Sequence, residues 1–548
     1  MSPPPLPKEP VVATRPSTTP VPPVSPDSPP FTSYVDLVLD ALARDPDRPA
    51  VTAADGHEVT AGALYATVHR MAAVLRAHGV GRDRTVSVLS RNRPEALAAR
   101  YAVNLLGARV VLLYDGMAAE TLSVVAESAE TAVLLVDPEL HDTARALLDG
   151  LTGPHPRTMT FGPLTAGAAP LGPDLLADCA ALPATPVVTG AARPEDDWCI
   201  RHTGGTTGVP KGVRMAHGPI AAMIGNARFE AAGDPPRLLA CTSLAHLAGI
   251  VADATLVAGG SVVLHQDFDP TAVLATVARE RITHLWLLPP LLYRLLDDPT
   301  LPTTDLGSLT RISYGGCTAS APRMRQAAEA LGPILYGLYG QSEAMSITEA
   351  GPADHADIRT DGPMTVGRPA PGVTVAIRDT EGRDLPPGES GEIHVHSAGV
   401  MSGYWKRPDL TAQVLLQDGW VRTGDVGYLD ADGRLYLVDR LKDVIIVVGG
   451  HVHPAELEDL LHTHPAVAHA AVYGVRTPDE TEEVHVAVVP APGHPADAVS
   501  ATALRAFITT RKGALYAPTA VHVLDAIPLT PVGKPDKKLL RARTAATS

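Results

Sequence analysis

The chain has 548 residues, with 45 Lys and Arg against 60 Asp and Glu and a formal net charge of −15. Its length calls for several domains or subdomains, and its 45% hydrophobic and 19% charged content excludes global disorder. The acidic balance excludes a protein that coats nucleic acid, whose phosphate contacts need surplus cations, but leaves room for a local basic site for a small phosphate ligand.

Residues 1–30 hold too much proline for a helix or a central strand and read as a disordered or polyproline-like tail. From Phe31 onward helical and strand patterns alternate. Ala61–His78 has apolar residues at helical spacing, Thr85–Leu89 is a compact β run, Glu95–Leu106 is helical, and Val110–Leu113 and Ala132–Val136 are further strands. Gly153–Asp197, rich in Pro, Gly and Ala, reads as a connector between two subdomains. The alternation resumes with Ser261–His265, a helix over Thr271–Arg281, and His284–Leu288. Such a pattern implies βαβ units with buried parallel strands. Past Gly372 short strands separated by turns, Val373–Arg378, Gly391–His396 and Leu435–Asp439, indicate a β-rich subdomain. A smaller α+β unit follows, with strands at Val444–Val447, Ala470–Val475, Val484–Val489 and Val521–Leu524 and helices over Pro454–Leu461 and near Ala501–Arg511. The expected fold class is α/β: a large N-terminal domain of two βαβ subdomains plus a β-rich subdomain, then a small α+β C-terminal domain.

Aromatic residues are scarce at 4%, so the core must be built from Ala, Val and Leu. Cys179, Cys199, Cys241 and Cys317 form no C-x-x-C pair, which indicates neither a zinc knuckle nor a disulfide framework but buried thiols in a reducing compartment. No apolar run approaches the ~20 residues needed to span a bilayer. The N-terminus lacks a basic segment followed by an apolar one, so no secretory signal is indicated and a cytoplasmic location is expected.

The clearest chemical signal is Thr203-Gly204-Gly205-Thr206-Thr207-Gly208-Val209-Pro210-Lys211-Gly212. Glycines let backbone N–H groups approach an anion closely, threonine hydroxyls add donors, and Lys211 supplies charge, a composition suited to a polyphosphate. Pro210 stands where a Walker A loop needs glycine before the lysine, so the loop is of another kind. Its order resembles the signature loop of the adenylate-forming superfamily: acyl- and aryl-CoA synthetases, peptide-synthetase adenylation domains and luciferases.

The resemblance extends over nearly all of the chain after the tail. Tyr339-Gly340-Gln341-Ser342-Glu343 resembles the second signature of that superfamily. There the aromatic residue stacks on adenine, the hydroxyl contacts the α-phosphate and the glutamate helps hold Mg²⁺. Ser313-Tyr314-Gly315-Gly316-Cys317 resembles the segment lying against the adenine. Asp425, in Trp420–Asp425, matches the aspartate that accepts both ribose hydroxyls, a task suited to an acceptor-only carboxylate. Arg440 matches the arginine that assists at ribose or phosphate, and Lys442 the hinge about which a mobile small domain rotates. Gly449 matches the glycine beside the thiol tunnel of thioester-forming relatives, and Lys534, in Pro528–Lys534, the lysine that enters the site for adenylation. The resemblance implies ATP and Mg²⁺, with CoA as the expected acceptor. It also implies a domain division at residues 31–439 and 440–548.

Thr242–Gly249 matches the start of the acid pocket, with His246 where relatives place a gating aromatic or histidine, and Ala221–Phe229 is expected to line another wall. Two departures bear on the substrate: Leu338 stands where many relatives carry glycine and should narrow the pocket, and Gly204 replaces a common serine. The leading expectation is a ligase that activates a small-molecule carboxylic acid as its adenylate, releases pyrophosphate and transfers the acyl group to CoA. Its alternatives are transfer to a separate carrier protein or an amine, nitrite activation for diazotising an arylamine in secondary metabolism, and a non-catalytic nucleotide-binding scaffold.

Overall fold

The computed structural model describes residues 31–547 except 165–166, 188–190, 204–209, 228–234, 359–362, 441–442, 448–449, 477–481, 495 and 531–532. Among the described residues the first sheet is ordered Gly403–Tyr404, Lys211–Ala216, Asp197–Thr203, Arg109–Leu113, Thr85–Leu89, Thr131–Val136, Arg157–Thr160. Thr85–Leu89 lies inside it, parallel to both neighbours, and every residue of TVSVL is buried. Its β-branched side chains suit a strand covered on both faces.

A second sheet runs from Arg368–Pro369 through Met345–Ala350, Leu335–Gln341, Arg311–Gly315, His284–Leu287, Arg237–Ala240 and Ser261–Leu264 to Pro49–Thr52 and Glu58–Thr60. Its inner strands are parallel and its flanks antiparallel. Helices Ala61–Ala77 and Pro94–Leu105 pack on each other, and Tyr34–Arg44 packs on both of them and on His217–Gly225 and Leu247–Val257.

One expectation is corrected. Gly153–Asp197 does not join two subdomains, because the strands on either side of it belong to the same sheet. It contributes the edge strand Arg157–Thr160, in register with Val133–Val136, and the helix Leu175–Ala180 capped by Asp174. Its described Pro and Gly residues fall between those elements, where backbone need not pair in a ladder.

The helix Pro94–Leu105 begins with Pro at its first turn and Glu95 beside its N-terminal dipole, and is buried from Leu97 to Leu105. That stretch includes Arg100, whose guanidinium meets Asp253 of helix Leu247–Val257, while Tyr101 donates to the same carboxylate at 2.6 Å. Arg100 also donates to the Gly249 carbonyl at 3.1 Å. Burial pushes Asp253 up to about 6 against the pull of Arg100 and Tyr101. This pair fixes the helix that starts at His246.

The β-rich part is an antiparallel sheet, Thr374–Arg378, Gly391–His396, Val421–Leu429 and Leu435–Arg440. The C-terminal domain pairs Val467–Arg476 with Glu482–Pro490 and adds Ala520–Val523 in parallel. Helices Pro454–His462 and Ala501–Lys512 bury Leu457, Leu461, Leu504 and Ile508 in its core.

Candidate functional site

The candidate site draws on the ends of strands Arg311–Gly315 and Leu335–Gln341, on the antiparallel pair Val421–Leu429 and Leu435–Arg440, and on Lys211 at the start of Lys211–Ala216. Strand Arg311–Gly315 delivers Gly315, Gly316 and Cys317. A Cβ at Gly315 would sit 2.2 Å from the Leu338 carbonyl oxygen, so glycine is required by the neighbouring backbone. The adjacent strand Leu335–Gln341 delivers Tyr339 and Gly340 and turns through Ser342 and Glu343 into Met345–Ala350. Met345 takes the left-handed region, φ 56°, at the end of that turn. A Cβ at Gly340 would lie 2.2 Å from the Met345 carbonyl. Strain of this kind persists where the surroundings dictate it.

Asp425 and Arg440 face each other across strands Val421–Leu429 and Leu435–Arg440. Arg440 Nε lies 3.0 Å from Asp425 Oδ1, and the Tyr339 hydroxyl donates to Oδ2 at 2.8 Å. The Asp425 N–H is held by Thr423 Oγ1 at 3.1 Å, and that hydroxyl donates to the Ile393 carbonyl at 2.7 Å. Burial works against the charge on Arg440, but Asp425, Asp443, Tyr339 and Glu343 carry its pKa above the usual arginine value. Each oxygen of Asp425 retains a second lone pair for an incoming hydroxyl.

Glu343 receives a 2.8 Å hydrogen bond from the Tyr404 hydroxyl, and Lys211 Nζ lies 5.4 Å from the centre of the same ring. Burial and the Glu343 charge raise Tyr404, so the phenol stays protonated and donates. A cleft of about 460 Å³ opens here, with Gln341, Glu343, Tyr404, Thr423 and Gly424 on its wall, within the size range of small-molecule sites. Among the described residues no group of three or more His, Cys, Asp or Glu could hold a metal by itself. A lone carboxylate fits a Mg²⁺ ion that takes its other oxygens from a polyphosphate.

Lys534 comes from the far end of the chain. Its turn is closed by Gly533 N–H to Thr530 carbonyl at 2.8 Å, Thr530 N–H to Lys534 carbonyl at 2.7 Å and Lys534 N–H to Thr530 Oγ1 at 3.1 Å. Gly533, at φ 79°, packs so closely that an added Cβ would lie 3.3 Å from Leu288. A Cβ at Gly316 would come within 4.0 Å of Lys534 Cε. The lysine therefore stands at the glycine pair. Burial pushes the Cys317 thiol up to about 12 although Lys534 pulls the other way, so Cys317 stays a thiol and not a nucleophile.

His246 precedes helix Leu247–Val257, with its ring 6.3 Å from that of Tyr114. Burial lowers it to about 3, helped by the charges of Arg201 and Lys534. It is a neutral wall residue rather than a proton carrier at physiological pH.

Strand Asp197–Thr203 leads to Gly204, Gly205, Thr206, Thr207 and Gly208, which lie outside the described residues, as do the expected hinge Lys442, Gly449 and part of the Ala221–Phe229 wall. The described residues bring together Gly315, Gly316, Cys317 and Lys534 in one group, Tyr339, Asp425 and Arg440 in a second, and Lys211 and Glu343 in a third around Tyr404. Sequence reasoning missed Tyr404, Thr423 and Tyr114. Tyr404 is placed by its pairing with Val213, two residues after Lys211, and only that pairing signals its role.

The sequence pattern of AMP-binding enzymes matches residues 39–405, and that of the AMP-binding enzyme C-terminal domain matches residues 456–534. A medium/long-chain-fatty-acid–CoA ligase of Mycobacterium tuberculosis is 36% identical, covering 92% of this chain and 89% of its own. A feruloyl-CoA synthase of an Amycolatopsis species is 34% identical, covering 89% and 94%. The solved structure of the amide bond synthetase McbA from Marinactinospora thermotolerans superposes with a TM-score of 0.82 at 37% identity, covering 93% of this chain and all of that one. No described helix is long and apolar enough to cross a membrane. With the family pattern spanning most of the chain and the site assembled from both of its parts, the chain belongs to the AMP-binding enzymes and is an adenylate-forming ligase.

Proposed function

We propose that the protein is an acid–CoA ligase that condenses a small or aryl carboxylic acid with ATP and then passes the acyl group to CoA. The observation that carries this reading is Lys534 held beside Gly316. In adenylation the acid's carboxylate attacks the α-phosphate and pyrophosphate leaves. Two anions must approach, so fixed positive charge and donors are needed where charge accumulates. Lys534 bridges the carboxylate and α-phosphate oxygens, and Lys211 with the Thr203–Gly208 loop holds the departing phosphates. Tyr339, Gly315, Gly316 and Cys317 border the adenine, Ser342 contacts the α-phosphate, and Asp425 and Arg440 take the ribose. Glu343 would hold Mg²⁺, which supplies charge neutralisation at the phosphates.

His246 and Leu338 border the acid, and Leu338 favours a short or flat one. We place the domain division at residues 31–439 and 440–548, with Lys442 as hinge and Gly449 beside the acceptor's path. We also place the protein in the cytoplasm, with Cys179, Cys199, Cys241 and Cys317 as free thiols. A second reading, transfer to an amine, is favoured by the similarity to the amide bond synthetase. The test is ATP–pyrophosphate exchange across fatty acids, aryl acids and nitrite, followed by CoA, arylamines and carrier proteins as acceptors. Exchange with a carboxylic acid and thioester formation are expected. An amide product from the same acid would move the assignment to the second reading, and no exchange with any acid would overturn both.

A further inference from the structure

The helix Ala321–Leu331 begins five residues beyond Gly316, and its own N-cap residue does not cap it. Ser320 has extended backbone, φ −76° and ψ 122°, but its hydroxyl makes no bond to the helix N-terminus. Its N–H goes instead to the Tyr293 hydroxyl at 2.7 Å. The N–H of Ala321 is taken by Asp459 Oδ1, 3.2 Å away, from helix Pro454–His462 of the C-terminal domain. Burial pushes Asp459 up to about 7, while the Ala321 N–H and Ser320 hydroxyl pull it down. Three residues on, His462 lies edge-on to Tyr293 with ring centres 6.3 Å apart. His469 Nε2 lies 3.8 Å from Oδ2 of Asp297, which ends the helix carrying Tyr293.

The loop between Gly316 and Ser320 thus meets the C-terminal domain at both ends, lying close to Lys534 at its start and bonded through Ala321 to Asp459 at its close. We propose that Asp459 is a positioning residue: by capping helix Ala321–Leu331 across the domain boundary, it latches the C-terminal domain where Lys534 meets Gly316. It sets the rate of adenylate formation without touching the substrate. The inference rests on the proposed role of Lys534 in that step. A first-turn N–H left without an acceptor in a shielded interface is costly, and a side-chain cap typically shifts an equilibrium by about tenfold.

The test compares Asp459→Ala and Asp459→Asn with the wild type, using the acid that gives the fastest pyrophosphate exchange. Asp459→Ala is expected to lower exchange kcat about tenfold with the KM for ATP and acid unchanged. Consumption of the synthetic adenylate of that acid should be unaffected. Asp459→Asn should restore exchange, because its amide oxygen still accepts from Ala321. Amide hydrogen exchange over residues 318–324 should quicken about tenfold in the Ala variant only. Wild-type exchange kinetics in Asp459→Ala would overturn the latch. So would equal losses in both half-reactions with Asn no better than Ala, the pattern of a merely structural residue. If the wild type gave no pyrophosphate exchange, the adenylation reading would fall, while the hydrogen-exchange comparison would still decide whether Asp459 caps the helix.

Discussion

The carboxylate of Asp425 is gripped from two sides, by the Tyr339 hydroxyl at 2.8 Å and by Arg440 Nε at 3.0 Å. This fixes its orientation, so binding of the ribose proposed for this position would cost little reordering. Asp425→Asn keeps the shape but loses the charge that pairs with Arg440. A charged hydrogen bond contributes about 1.5–3 kcal/mol, so ATP affinity measured by calorimetry should fall roughly ten- to hundredfold. Tyr339→Phe, which removes one neutral donor, should fall by less. Unchanged affinity in Asp425→Asn would remove the ribose from this position. These residues were legible in the sequence because they sit in short contiguous words whose order is diagnostic. Tyr404 and Asp459 were not, because each acts on a partner far away in the chain and looks locally like an ordinary strand or helix residue.

At the scale of elements, the helix Leu247–Val257 depends on a pair 153 residues apart, Arg100 and Asp253. Both side chains are buried, with 2% and 0% of their surface exposed. Removing one partner of such a pair leaves an uncompensated buried charge and typically costs about 3–5 kcal/mol. Asp253→Ala should therefore lose that much in denaturant unfolding, and the joint change Arg100→Met with Asp253→Leu should lose less. A loss in Asp253→Ala below about 1 kcal/mol would show that the pair does not organise the helix below His246. The helix over Glu95–Leu106 was readable from its period and lies within a residue of its expected bounds, whereas the helix Leu247–Val257 was not anticipated. The ion pair was not readable, since Arg100 and Asp253 each sit in a helix whose pattern gives no hint of its partner. Composition also misled at Gly153–Asp197, where dense Pro and Gly hid the edge strand Arg157–Thr160. Its place is set by register with Val133–Val136 rather than by its own residues.

At the scale of the whole molecule, buried ionisable groups set the response to pH. Burial lowers His202, His217 and His284 to about 4 and His246 and His462 to about 3. An unfolded histidine titrates near 6.5, so their contribution to stability is complete above that pH and is lost as pH falls toward 4. Asp253 and Asp459, raised to about 6 and about 7, act in the opposite sense over the same window. Each linked group changes stability by about 1.4 kcal/mol per pH unit, and the five histidines outweigh the two acids. Melting temperature should fall from about pH 7 to pH 5, and a flat or rising profile would contradict this balance. The net charge of −15 leaves room for a local basic site, which we propose is formed by Lys211, Arg440 and Lys534 drawn from distant parts of the chain. That convergence is the central claim, and Lys534→Ala tests it most directly. Pyrophosphate exchange with the best acid should drop by about 10²–10³ while ATP binding is retained. Near-normal exchange in this variant would contradict the account.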